Sequence, residues 1–337
     1  MADYDFDIPL TFRHRIRFTT DAFAAGNPVV ADLVDGTRPT KVLVYLEEEI
    51  ARLFPDLEDQ IAGYLGELAH VTLTEVLVMP GGEACKLSKT QIMEGIRPIE
   101  RNGIDRHSFV FCIGGGAFLD VIGLAAATAH RGVRLVRFPT TTLSQDDSGV
   151  GVKNGINAFG KKNFIGAFAV PYAVVNDFRY LYTQPESVCR AGLVEAVKVA
   201  LVKDGEFFDW LEDNVRFLHD LERPVLEEAV ERSAILHARH IAEGGDPFEN
   251  GSSRPLDFGH WSGHKLEQLT DFELTHAEGV AVGMALDCLY SAKMGWLDQA
   301  DFVRVMEVLW GLGLPTWHES LDLRDAGGNR EVLKGLE

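Results

Sequence analysis

The segment Ser108–His130, SFVFCIGGGAFLDVIGLAAATAH, sets the architecture of the chain. Its apolar, strand-like start runs directly into Gly114-Gly115-Gly116, and a helix-like pattern follows from Ala117. Glycines let a backbone approach a ligand closely, and a helix amino terminus favours an anion such as a pyrophosphate. The spacing is not the GxGxxG fingerprint of dinucleotide-binding turns. A tight turn without a ligand is therefore the alternative interpretation.

Elements of the same kind continue on both sides of this segment. Strand patterns at Val42–Leu46, Val76–Met79 and Val133–Phe138 alternate with helix-like stretches such as Glu48–Leu65, which predicts a parallel sheet covered on both faces. After Asn176 helical spacing dominates. Six predicted helices lie there: Ser187–Lys203, Gly205–Val215, Arg223–Ala242, Gly259–Thr270, Ala277–Lys293 and Gln299–Trp310.

The length of 337 residues exceeds that of a usual single hydrophobic core. We therefore predict two domains: an α/β, Rossmann-like, NAD-binding domain over residues 1–178, and an all-α domain that binds metal and substrate over residues 179–337.

Composition excludes several function classes. The net charge is −19, from 51 acidic against 32 basic residues, which disfavours nucleic acid and anionic membranes as partners. No apolar run reaches membrane-spanning length, and the start of the chain lacks the pattern of a secretion signal. The four cysteines, Cys85, Cys112, Cys189 and Cys288, form no CxxC pair. We expect a cytoplasmic protein whose cysteines are small buried side chains.

One stretch departs from the acidic average. Residues 148–176 contain no Asp or Glu but include Lys153, Lys161 and Lys162. A locally cationic segment in an acidic protein is a candidate site for a small anion.

Histidines concentrate in the second half of the chain. Five of eleven lie between His237 and His276, and His260 and His264 share one helix face at i, i+4. Glu195 is a carboxylate in an otherwise apolar helical stretch, and Lys198 follows it on the same face. Two histidines and one glutamate would form an open, zinc-type catalytic site. A single histidine would be read as structural, but the combination favours metal ligation.

In chain order, these pieces resemble the dehydroquinate synthase superfamily, the sugar phosphate cyclases, and within it a divergent, EboD-like branch. The resemblance covers roughly Val42 to Ala285. It rests on an ordered string of motifs: Gly114-Gly115-Gly116, Asp120, Arg131-Gly132, Pro139-Thr140-Thr141, Ser144-Gln145-Asp146-Asp147-Ser148, Lys153, Asn157, Gly160-Lys161-Lys162-Asn163, Gly259-His260, Gly263-His264 and His276-Ala277-Glu278.

The resemblance implies a role for each matched residue. The metal ligands, for zinc or cobalt, would be Glu195, His260 and His276. The residues in contact with NAD would be Glu47, Glu83, Lys86, Gly115, Gly116, Asp120, Thr140, Thr141, Lys162 and Thr183. The catalytic and substrate-binding residues would be Asp147, Lys153, Asn163, Lys198 and His264, with Arg131 reaching the phosphate in the partner's site of a homodimer.

The chemistry of the superfamily explains why such residues coexist. NAD oxidises a substrate hydroxyl, which acidifies the neighbouring C–H bond. Phosphate is eliminated, the hydride returns, and the opened sugar closes in an intramolecular aldol step. Two alternatives remain: an NAD- and metal-dependent polyol or alcohol dehydrogenase, and an inactive nucleotide-binding paralogue.

Three positions depart from the dehydroquinate synthase pattern. Where that family binds the substrate's carboxylate, this chain has Arg239, an Arg254 displaced by one position, and Asp257. A carboxylate such as Asp257 beside a second carboxylate is unfavourable in a partly desolvated site. We therefore expect a sugar phosphate without the carboxylate of the dehydroquinate precursor.

Overall fold

The computed structural model describes residues 3–34, 38–87, 89–159, 161–252 and 254–336. Eight strands lie within them: β1 Ile16–Thr19, β2 Thr40–Glu47, β3 Val71–Met79, β4 Phe109–Gly114, β5 Arg134–Pro139, β6 Lys153–Ala158, β7 Lys161–Phe168 and β8 Ala173–Asp177. Six of them form one sheet in the order β1-β8-β5-β4-β2-β3, and every neighbouring pair is parallel. The predicted parallel sheet is confirmed.

Helices cover both faces of this sheet. All six residues of β4 are buried, which explains its uninterrupted apolar sequence. The predicted helical stretch Glu48–Leu65 forms two helices, because Pro55 interrupts it. The helices of this half are α1 Pro28–Ala31, α2 Glu48–Leu53, α3 Leu57–Gly66, α4 Lys89–Arg101 and α5 Gly116–Thr128.

The second half is helical. Its helices are α6 Glu186–Gly192, α7 Val194–Lys203, α8 Gly205–Asp213, α9 Val215–His219, α10 Arg223–Glu243, α11 His260–Leu269, α12 His276–Lys293 and α13 Gln299–Gly311. Their apolar faces form one core with residues such as Leu193, Phe207 and Val280. The predicted fold class is confirmed, whereas the division at residue 178 stays a prediction. No described helix combines the length and apolar character needed to cross a membrane.

A hairpin carries the cationic stretch, and the sequence patterns did not predict it. Strands β6 and β7 pair antiparallel and present Lys153, Lys161 and Lys162; Gly160 of that motif lies outside the described residues. Arg137, fully buried in β5, donates hydrogen bonds to the carbonyls of Gly149, Gly151 and Lys153 at 2.8–3.0 Å. These bonds fix the base of the hairpin beside the carboxyl end of the sheet.

Candidate active site

The turn after β4 is organised by a carboxylate from a neighbouring strand. Glu47, at the carboxyl end of β2, accepts hydrogen bonds from the backbone N–H groups of Gly115 at 2.7 Å and Gly82 at 3.0 Å. A Cβ on Gly81 would lie 1.8 Å from Oε1 of Glu47, so a larger residue there would displace this carboxylate. The two glycine-rich turns are therefore held together at the edge of the sheet where doubly wound folds bind nucleotides.

A cavity of about 330 Å³ opens at this turn. The amino terminus of α5, with Gly115 as its cap, faces it. Seven of the ten residues predicted to contact NAD line the cavity: Glu47, Glu83, Gly115, Gly116, Thr140, Thr141 and Thr183. The shape and the helix terminus suit a pyrophosphate-bearing ligand.

The other three predicted NAD contacts lie outside this cavity. Lys86 forms an ion pair with Asp120 at 2.5 Å and donates to Oδ1 of Asn163 at 2.8 Å. Burial raises the pKa of Asp120, and Lys86 opposes that rise. Lys162 pairs with Glu267 at 2.5 Å instead. A second cavity, of about 300 Å³, lies next to the Lys86–Asp120 pair, and its lining includes Asp120, Lys153 and Asn163.

The histidine cluster depends on the close packing of two helices. A Cβ on Gly263 of α11 would lie 2.9 Å from the carbonyl carbon of Gly279 of α12, so the helices touch backbone to backbone. A capping box from Thr275 and Glu278 begins α12 at His276. This packing brings His260, His264 and His276 together, with one ring nitrogen of each within 4.8 Å of the others.

Glu195 completes the cluster from α7. Its side chain is fully buried, and Oε1 lies 3.7 Å from Nε2 of His260 and 3.8 Å from Nε2 of His276. Within the described residues neither carboxylate oxygen has a well-formed hydrogen bond, although the ammonium of Lys198 lies against Oε2. Burial raises the pKa of Glu195, and Lys198 counteracts this rise. A buried carboxylate oxygen without a hydrogen bond, such as Oε1 of Glu195, is suited to contact a cation.

Hydrogen bonds on the far side of the rings assign the tautomers. Nδ1 of His260 lies 3.1 Å from the carbonyl of Phe258, and Nδ1 of His276 lies 3.4 Å from Oε2 of Glu267. Protons on both Nδ1 atoms leave the Nε2 lone pairs directed toward Glu195. Burial, followed by Lys198, holds the pKa of His260 well below its usual range. Burial opposes the charge on His276, but its hydrogen bond to Glu267 raises its pKa. Once Nε2 of His276 has lost its proton, the two imidazoles and the carboxylate fit a divalent metal.

A charged network adjoins the cluster. Asp147 accepts a hydrogen bond from Nδ1 of His237 at 2.6 Å and lies 3.4 Å from Nζ of Lys198. Burial alone would raise the pKa of Asp147, but Lys198 and His237 hold it well below its usual range. Burial likewise opposes the charge on Lys198, yet Asp147 and Glu195 raise its pKa. The network offers a fixed ammonium donor beside a fixed carboxylate acceptor.

Lys153 and Arg131 are both exposed. Lys153, at the start of β6, forms an ion pair with Glu249 at 2.6 Å. Arg131 is exposed, has a positive φ of 61°, and precedes β5 at the amino end of the sheet. Within the described residues no ion pair or hydrogen bond connects Arg131 to the histidine cluster of the same chain.

Three residues near this site were not predicted. His237 is the α10 residue that contacts Asp147, whereas Arg239, which the resemblance placed near the substrate, lines a separate depression with Phe178 and Asp204. Glu267 contacts both His276 and Lys162. Its position three residues after His264 on one helix is the sequence feature that could have indicated its place in the site. Asp146 is fully buried, and neither of its carboxylate oxygens has a hydrogen bond within the described residues.

Asp257 lies two residues before Gly259 in a single 3₁₀ turn, Pro255–Asp257. Within the described residues no Lys, Arg or His nitrogen lies within 4.0 Å of its carboxylate, and Arg254 is exposed. Neither Arg239 nor Arg254 therefore neutralises Asp257.

Two family models and several known proteins match the sequence of this chain. The family described as 3-dehydroquinate synthase N-terminal matches residues 76–191, and the family described as 3-dehydroquinate synthase C-terminal matches residues 192–329. A 3-dehydroquinate synthase of Geobacter sp. (strain M21) is 42% identical over 242 residues, which is 71% of this chain and 66% of that protein. One from Psychrobacter cryohalolentis is 34% identical over 95% of this chain and 86% of its own length. The chain thus spans just under two thirds of the first relative.

A solved structure has the same fold over almost the whole chain. ValA, the 2-epi-5-epi-valiolone synthase of Streptomyces hygroscopicus subsp. jinggangensis 5008, superposes with a TM-score of 0.83 at 28% identity. The match covers 94% of this chain and 85% of that one, and the ValA structure contains NAD⁺ and Zn²⁺.

Proposed function

The chain belongs to the 3-dehydroquinate synthase family, and we propose that it is an NAD- and metal-dependent sugar phosphate cyclase, a lyase that eliminates phosphate and closes a carbocycle. One observation carries the proposal: buried Glu195, paired with Lys198 through Oε2, turns its Oε1, which has no hydrogen bond within the described residues, toward Nε2 of His260 and of His276. The glycine-lined cavity next to β4 supports NAD as the cofactor.

The cofactors would occupy adjoining positions. Glu195, His260 and His276 would hold zinc or cobalt, and ValA, which shares the fold, was solved with NAD⁺ and Zn²⁺. A bound divalent metal polarises substrate oxygen, and NAD accepts and returns a hydride. NAD would bind at Gly115 and Gly116, with its pyrophosphate at the amino terminus of α5.

The protein's own side chains would bind and orient the sugar phosphate. Lys198 donates to a substrate hydroxyl, and Asp147, kept ionised by Lys198 and His237, accepts from the next. Lys153, Asn163 and His264 would surround the phosphate, with Arg131 of a second subunit in a homodimer. As the C–O bond breaks, its electron pair leaves with the phosphate, and cationic side chains stabilise that charge.

Asp257 supports a substrate without a carboxylate. Because no cation within the described residues neutralises it, a substrate carboxylate beside Asp257 would face an unscreened like charge. A substrate hydroxyl would donate a hydrogen bond to it instead. Sites built for one polar group reject another by up to several orders of magnitude, because their partners are left unpaired.

Phosphate release with parallel measurement of NADH absorbance tests the proposal. We expect sedoheptulose 7-phosphate to release phosphate without stoichiometric NADH, and the heptulosonate phosphate to react poorly until Asp257→Asn is introduced. A polyol dehydrogenase would accumulate NADH without phosphate, and an inactive paralogue would give neither signal. Efficient turnover of the heptulosonate, with Asp257→Asn changing little, would contradict the substrate assignment but not the reaction class.

A further inference from the structure

A cavity of about 360 Å³ lies at the amino ends of the strands, at the opposite edge of the sheet from the active site. Its apolar floor includes Val133, Leu135 and Pro171. Four arginines contribute side chains to it: Arg13, Arg15, Arg106 and Arg134. The proposed reaction uses none of them.

The order of the strands brings Arg15 and Arg134 close together at the amino ends of the sheet. Arg15 directly precedes β1, Tyr172 directly precedes β8, and Arg134 begins β5; these three strands are adjacent in the sheet. The Arg15 guanidinium carbon lies 4.2 Å from the centre of the Tyr172 ring, and that of Arg134 lies 5.5 Å from it. Arg134 also lies 5.2 Å from the ring of Phe109. Stacking on aromatic faces thus holds two cations around one tyrosine.

These arginines have no acidic partner. Within the described residues, no carboxylate oxygen lies within 4.0 Å of any of the four, in contrast to Arg304, which pairs with Asp209 and Glu212. Arg15 donates only to backbone carbonyls, including that of Tyr172 at 3.1 Å. The neighbouring carboxylate of Asp105 accepts from backbone N–H groups instead. In a chain of net charge −19, positive charge without a counter-ion is concentrated here.

We propose that this cavity binds a small anion that carries two or more phosphate groups. A guanidinium is a planar fork that matches phosphate oxygens, and the three terminal oxygens of a phosphate accept from several forks at once, whereas a carboxylate offers two. The net charge of the chain disfavours nucleic acid as the source of these phosphates. A small polyphosphate compound therefore fits best.

A second copy of the chain offers the competing occupant. The described N-terminal segment before Arg13 is exposed and has no regular secondary structure, and Asp3, Asp5 and Asp7 alternate with apolar side chains. Those carboxylates, from another copy, are anionic as well. The test must therefore separate a phosphate compound from self-association.

Calorimetric titration of the full chain with inorganic tripolyphosphate at low ionic strength provides the test. We expect Arg15→Gln with Arg134→Gln to weaken binding about a hundredfold, since a charged hydrogen bond commonly contributes about a factor of ten or more. Arg134→Lys keeps the positive charge but loses the planar guanidinium, so it should weaken binding less than the double substitution. It also keeps the proposal testable if the double variant does not fold. Arg304→Gln should bind like the wild type.

A variant of the proposed active site shows whether tripolyphosphate binds there instead of in the cavity. Lys153→Gln should leave the cavity binding intact, because Lys153 lies at the other edge of the sheet. Unchanged binding in the double variant, or loss only in Lys153→Gln, overturns the proposal. The proposal is also overturned if light scattering shows that the wild type self-associates and that either added tripolyphosphate or the two substitutions abolish this association. The acidic segment of a second copy would then be the occupant.

Discussion

The nucleotide-facing turn and the histidine cluster both lie in the proposed active site, but they differ in whether their polar side-chain atoms have partners within the protein. At the turn, Glu47 accepts two backbone hydrogen bonds, and Lys86 pairs with Asp120. In the cluster, Glu195 is paired with Lys198 through Oε2, but its Oε1 has no hydrogen bond within the described residues and lies 3.7 Å from Nε2 of His260. The turn is complete as a protein structure, whereas the cluster has unused ligand atoms. Removal of a bound cation should therefore affect the helical half far more than the turn.

The largest expected effect follows from removing the central ligand. Glu195→Gln should lose bound zinc or cobalt, and phosphate release should fall by about a thousandfold, because a metal supplies several kcal/mol of transition-state stabilisation. Chelation should have the same effect in the wild type, and added zinc or cobalt should reverse it. Metal content is measured by atomic emission alongside phosphate release.

A matched pair of histidines tests the ligand set. His260→Ala should lose the metal, since its Nε2 faces Glu195, whereas His264→Ala should keep the metal and lose rate. The opposite result, with metal lost only in His264→Ala, would mean that the two assignments must be exchanged.

Stability gives the next largest contrast. In metal-free protein, Lys198→Met should lower the free energy of unfolding by about 3 kcal/mol, because it leaves the buried Glu195 carboxylate without its cation. Bound metal should reduce that loss. Urea unfolding measures both, and Arg304→Met in an exposed ion-pair network should cost at most about 1 kcal/mol. Equal losses in the two variants would show that Glu195 does not depend on Lys198.

At the turn, the expected effect is smaller and confined to the nucleotide. Asp120→Ala should weaken NAD binding about tenfold through loss of the charged contact that positions Lys86, with metal content unchanged. Fluorescence titration with NADH measures the affinity. Unchanged affinity would remove Asp120 from the NAD site.

The sequence predicted these two regions unequally well. The turn is local, because a buried strand, three glycines and a helix follow each other from Ser108 to His130, and the carboxylate of Glu47 is the long-range addition. The cluster needs α7, α11 and α12 in contact, and only the resemblance linked Glu195 with His260 and His276. The resemblance pointed to Arg239 rather than to His237, two residues earlier, because the sequence does not show which face of α10 points toward Asp147. The hairpin β6–β7 was missed because its polar residues obscure the strand pattern.

Acid should destabilise the cluster modestly. Burial, followed by the nearby His276, lowers the pKa of His264 to about 4. The unfolded chain therefore takes up a proton near pH 6.5 that the folded chain refuses until about pH 4. As pH decreases through this window, the free energy of unfolding of the metal-free wild type should therefore fall relative to that of metal-free His264→Gln. An identical pH dependence in the two proteins would contradict the lowered pKa.

The smallest expected effect concerns Lys153, an exposed proposed phosphate ligand. Its ammonium is more than half exposed and is held by Glu249 at 2.6 Å, so a substrate phosphate must compete with that carboxylate. Partly exposed ion pairs contribute about 0.2–1 kcal/mol. Glu249→Gln should therefore lower the KM for the sugar phosphate about two- to fivefold, with kcat and metal content unchanged. Glu49→Gln, which breaks an exposed ion pair with Arg52, is the control and should leave KM unaltered. A higher KM in Glu249→Gln would mean that Glu249 helps to bind the substrate, and the competition between carboxylate and phosphate would be wrong.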